Sequence, residues 1–114
     1  MRSLFQTTAL CLAMATPACA DIVFQGRDAQ GLHCASMLLV VGATLEGLGA
    51  ISPSEGRKST QAAAIIMQQL PGTDAEKLQA IYQRSDKIMA TRTTLQLFDE
   101  FSSISRWCIR EFSG

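Results

Sequence analysis

The chain has one histidine, His33, and no Cys-x-x-Cys pair. Their scarcity removes the usual thioredoxin-like, haem-attachment and zinc signatures. There is no glycine-rich phosphate loop, serine elbow or metalloprotease motif either. Metal binding would have to recruit His33 with scattered carboxylates, or Met37, Met67 and Met89, and those methionines fall at ordinary core spacing, where a flexible thioether fills gaps. Basic runs are also missing, since Arg57-Lys58 is the only adjacent cationic pair and the formal net charge is zero. Neutralising a phosphate backbone takes several clustered cations, so nucleic acid is not an expected partner. No cofactor is expected, and the chain reads as a non-enzyme.

Two pairs of carboxylates deserve the same test. Asp74 and Glu76 belong to the start of a helix. Asp99 and Glu100 read as a solvated face, because acid/base pairs need contrasting environments and nothing nearby in sequence supplies a pocket. His33 beside Cys34 would suggest an activated thiolate. Neighbours on a helix point about 100° apart, however, and Cys34 has another use.

The first stretch reads as a targeting signal. Arg2 gives a positive start, Leu4 to Ala15 an apolar run, Pro17 a break, and Ala18-Cys19-Ala20 the small residues before a cleavage site. Cutting after Ala20 leaves Asp21 as the mature N-terminus and directs the chain to the periplasm or outside the cell. Acylation of Cys19 is not expected, because Thr16-Pro17-Ala18 lacks the large aliphatic residue of a lipoprotein signal.

Of four cysteines, Cys11 and Cys19 leave with that segment, so Cys34 and Cys108 are the pair available in an oxidising compartment. A small domain of this size commonly needs such a staple. The remaining chain divides into a lead-in, residues 21–31, and a single helical domain, residues 32–114. Ile22, Val23 and Phe24 of the lead-in are expected to dock on the core, and Asp28 to cap a helix beginning near Ala29.

The longest apolar stretch, Leu32 to Ile51, has Glu46 as its only formally charged residue. About 20 apolar residues span a bilayer. Yet His33, Ser36, Thr44 and Glu46 break the hydrocarbon character, and a carboxylate at a bilayer centre costs roughly 2.5–3.5 kcal/mol. A buried core helix is the preferred reading, with membrane association through residues 32–51 as an alternative. Cys34, Leu38, Val41, Leu45 and Leu48 form its main face, widened by Leu39 and Val40, and Gly47 to Gly49 end it.

Ser52-Pro53-Ser54-Glu55 is a capping box with proline at the first helical position. The second helix then runs to about Leu70 with Ala62, Ala63, Ile66 and Leu70 inward and Met67 beside them. Pro71-Gly72 stops it. Thr73 and Glu76 repeat the box and start a third helix, with Leu78, Ile81, Tyr82, Ser85, Ile88 and Met89 as its buried side.

No glycine or proline occurs between Thr73 and Ser113, so helix count rests on geometry. A bridge from Cys34 to Cys108 needs Cα atoms within about 7 Å. In an up-down bundle an even number of helices returns the chain to its starting end. A break within Ala90 to Thr94, capped by Thr93 or Thr94, gives four helices and satisfies the bridge. The fourth helix, about Leu95 to Phe112, places Leu97, Phe101, Ile104, Cys108 and Phe112 inward, with Phe98 and Ile109 marginal. The fold class is therefore all-α, a small up-down four-helix bundle closed by Cys34–Cys108.

Arg106 and Arg110, four residues apart with Trp107 between, mark a candidate interaction surface. For Trp107 itself, covering the disulfide is the preferred reading and a binding role the alternative. The composite expectation is an exported, non-catalytic binding protein whose partner is another protein. In plan, an exported helical chain of this size with one disulfide is similar to the small acid-stress chaperones of the bacterial periplasm. That similarity implies, as an alternative, exposure of apolar surface to clients at low pH; the wide cysteine separation departs from it.

Overall fold

The computed structural model describes residues 23–114, which are helical with no strand among them. The expected leader and cleavage site, with Ile22, lie outside the described residues. Four helices follow one another. Helix α1 is one continuous rod over residues 27–47, made of Arg27–Ser36, a π-helical stretch Met37–Val41 and Gly42–Gly47. Helices α2, α3 and α4 are Pro53–Gln69, Asp74–Thr91 and Thr94–Phe112.

Capping chemistry sets the last three starts. Ser52, Thr73 and Thr93 each accept a hydrogen bond from the backbone N–H three residues on, while Glu55, Glu76 and Gln96 reach back to the cap N–H. Each box satisfies two otherwise orphaned donors. The break between α3 and α4 thus falls inside the expected window, at Arg92 and Thr93. Helix α1 ends in a Schellman turn: Ala50 N–H donates to Leu45 O, Gly49 N–H to Glu46 O, and Gly49 takes φ +77°.

Helix α1 starts earlier than the sequence reading placed it. Gly26, at φ +57°, turns the chain directly into Arg27, so residues 27–31 are helical rather than part of an irregular lead-in. Asp28 lies in the first turn and does not cap. The early start is held by Arg27, whose Nη2 donates to Glu111 O at 2.9 Å and whose guanidinium lies 4.3 Å from the centre of the Phe112 ring. Of the apolar lead-in, Phe24 packs on the core but Val23 is exposed.

Helix α1 is the centre of the molecule and touches all three others. Cys34, Ala35, Met37, Leu38, Val41 and Leu45 are completely buried, as an all-round apolar helix requires. Helix α4 runs antiparallel to it, with Phe112 beside Gly31 and Phe101 beside Gly42. Helix α2 is antiparallel to α1 as well, with Ile66 and Leu70 near Gly31 and Ser59 near Gly42. Helices α2 and α4 also meet each other, whereas α3 packs chiefly on α1.

Two expected core residues are outside. Leu48 is 61% exposed. It sits at the C-cap, where the Schellman turn carries the chain away from the core, while Leu45 one turn earlier is completely buried. Tyr82 is 54% exposed, because the inward stripe of α3 is Lys77, Ile81, Ser85 and Ile88. That stripe is rotated toward polar residues, and a lysine stem can cover apolar surface while its ammonium points away.

The bridge forms as expected. Cys34 and Cys108 are disulfide-bonded with Cα atoms 5.5 Å apart, and both are wholly buried. It ties the first half of α1 to the last turns of α4.

Candidate interaction surfaces

Two grooves flank α4, and the residues singled out from sequence divide between them. Positions 106 and 107 are one residue apart and so diverge by about 100° around the helix. Arg106 and Arg110 line a groove of about 380 Å³ between α2 and α4, together with Lys58 and Ser59 over an apolar floor of Phe101 and Ile109. Trp107 lines a different groove of about 300 Å³ with Ile104, Ala29, Cys34, His33 and Arg84. The structure therefore joins the two arginines and separates the tryptophan from them. Trp107 flanks the disulfide and meets Phe112 edge to face, with ring centres 6.0 Å apart.

The Trp107 groove is bordered by a polar chain that the sequence did not announce. Arg84 Nε donates to His33 Nδ1 at 3.3 Å. His33 Nε2 donates to Glu100 Oε2 at 3.3 Å, and Arg92 Nε donates to Glu100 Oε1 at 2.6 Å. Glu100 is thus a half-buried junction between α1, α4 and the α3–α4 turn, which corrects the reading of it as solvated; its neighbour Asp99 is exposed. Sequence spacing could not reveal this, because the partners are 8 and 67 positions away.

Burial, and next the Arg84 guanidinium, push the His33 pKa below its usual 6.5, with Arg92 adding to the effect. Glu100 opposes the shift by charge and hydrogen bonding without cancelling it. The hydrogen bonds agree with a neutral ring, since Nδ1 can accept from Arg84 only while it carries no proton. His33 and Cys34 do not act together: one faces this polar chain, the other is locked in the bridge.

The charges on the opposite flank are arranged differently. Arg27, Arg84 and Arg92 are each engaged within the molecule. Lys58, Arg106 and Arg110 have no carboxylate within ion-pair distance among the described residues. Arg106 and Arg110 are exposed. Among the described residues no group of three or more His, Cys, Asp or Glu stands close enough to hold a metal ion. No described helix is long and apolar enough to cross a membrane. Comparison of the chain with protein-family models, with curated proteins and with solved structures gives no match.

Proposed function

We propose that this chain is an exported, non-catalytic helical protein that binds another protein through the α2/α4 face. The signal-like start and the Cys34–Cys108 pair favour a periplasmic or secreted mature form beginning at Asp21. A protein partner, rather than nucleic acid, follows from the balanced charge and from export. The observation carrying the reading is that Arg106 and Arg110 stand exposed, side by side and without an ion-pair partner among the described residues, over an apolar-floored groove, whereas Arg27, Arg84 and Arg92 are engaged within the molecule. Arginine beside a packed apolar patch is a common composition for binding anchors. Helix α1, whose apolarity prompts the membrane alternative, is occupied as core.

A photo-reactive residue placed at Ser105, which lines the groove, tests this in cells expressing the full chain. The expected result is a discrete protein adduct from position 105 and none from the exposed position of Tyr82 on α3. No adduct at 105, or the same adducts from both positions, would overturn the reading. Mass spectrometry of the same material gives the N-terminus, expected to be Asp21.

A further inference from the structure

Three features of the α2/α4 groove point to one kind of occupant. Its walls carry Lys58 from α2 and Arg106 and Arg110 from α4, all unpaired among the described residues. The one acid on its lining, Glu55, is engaged in its capping box, with Oε1 accepting from Ser52 N–H at 3.2 Å. The wall charge thus favours an anion. The floor is apolar, made by Phe101 and Ile109.

The third feature is Ser59, which lines the groove, is only 3% exposed and has no hydrogen bond from its hydroxyl among the described residues. The other buried serines behave differently: Ser36 Oγ donates to Leu32 O at 2.8 Å, and Ser85 Oγ to Ile81 O at 2.7 Å. Leaving a buried hydroxyl unmatched costs about 1–3 kcal/mol, and a water or a bound polar group that matched it would recover that cost.

We infer that this groove binds an acidic peptide segment of the partner protein, with carboxylates meeting Lys58, Arg106 and Arg110, an apolar side chain on Phe101 and Ile109, and a backbone or side-chain polar group at Ser59. This rests on the proposed protein-binding function and specifies its partner's chemistry. A peptide is favoured over an anionic membrane because the cations and the buried Ser59 line a groove between two helices rather than a flat face. The groove volume of about 380 Å³ lies within the roughly 300–1,000 Å³ of ordinary ligand sites.

The test uses the mature exported protein and fluorescein-labelled hexapeptides of alternating glutamate and leucine, with glutamine/leucine and lysine/leucine counterparts, read by anisotropy. The glutamate peptide should bind at least about ten-fold more tightly than the glutamine one, and high salt should erase that difference. The double variant Arg106→Glu/Arg110→Glu should lose the glutamate peptide and gain the lysine one, with a slightly lower melting temperature because carboxylates near the end of α4 oppose its dipole, whereas Arg106→Gln/Arg110→Gln should lose the glutamate preference with a smaller change in melting temperature. Ser59→Ala should weaken glutamate-peptide binding about three-fold while leaving the melting temperature equal or higher, a combination a purely structural serine does not produce. Equal binding of the three peptides, capture by phosphatidylglycerol vesicles without peptide binding, or dimerisation that buries Ser105 would each overturn the inference. A Ser105 adduct with no acidic-peptide preference would overturn the peptide chemistry alone, whereas absence of the adduct would overturn the binding function itself.

Discussion

At the scale of single residues, His33 is the group whose state changes nearest neutral pH. Its folded pKa lies below 6.5, so between the two values the unfolded chain holds a proton that the folded one does not. The stability that neutral His33 contributes is complete above pH 6.5 and is lost as pH falls through the lower folded value. Thermal melts between pH 8 and 5 should show the midpoint falling below pH 6.5. His33→Gln, which can still accept from Arg84 and donate to Glu100, should flatten that limb without altering the carboxylate limb at lower pH. An identical profile in the variant would show that His33 does not govern it. Protonation sets His33 against Arg84, at the contact between α1 and α3. Client protection appearing only in that acid range would favour the chaperone-like alternative. Glu100 is the other sensitive residue: Glu100→Ala leaves Arg92 and His33 without their acceptor and should cost about 1–3 kcal/mol in urea unfolding.

At the scale of elements, starts and stops are written locally and are readable. Thr93 is the clearest case, because without its box nothing in the sequence separates α3 from α4. Thr93→Ala should destabilise by about 1 kcal/mol, whereas Thr94→Ala, one position inside the helix, should be near neutral, both measured by urea midpoint. Much of the fold was legible for this reason: Ser52, Thr73 and Gly49 announce their turns, and Cys34 with Cys108 dictates an even helix count. Facing was less so. Leu48 and Tyr82 fit an apolar period but lie outside, since periodicity takes no account of where the chain turns away from the core or of how few neighbours α3 has. The site was half legible. Arg106 and Arg110 stood out by spacing, but Lys58, Ser59 and Glu100 acquire their roles only when α2, α1 and α4 come together.

At the scale of the whole molecule, the first helix and the bridge depend on each other. The 74-residue separation of Cys34 and Cys108 gives a chain-entropy stabilisation of about 4–5 kcal/mol, comparable with the roughly 5–15 kcal/mol total of a small domain. Replacing both cysteines by serine should lower the melting temperature markedly. Native protein should also resist mild reductant until denaturant is added, because both sulfurs are completely buried. An unchanged melting temperature would mean that packing alone closes the bundle.

Assigning interaction to the α2/α4 groove requires that the apolar helix α1 be covered by its own chain, leaving no second apolar face in search of a cover. Amide hydrogen exchange of the dilute protein in the absence of detergent tests this directly. Amides from Leu32 to Leu45 should be the slowest in the molecule, exchanging only with global unfolding and at the same rate across protein concentrations. Rapid exchange there, or protection that appears only on concentrating the protein or adding lipid, would contradict it.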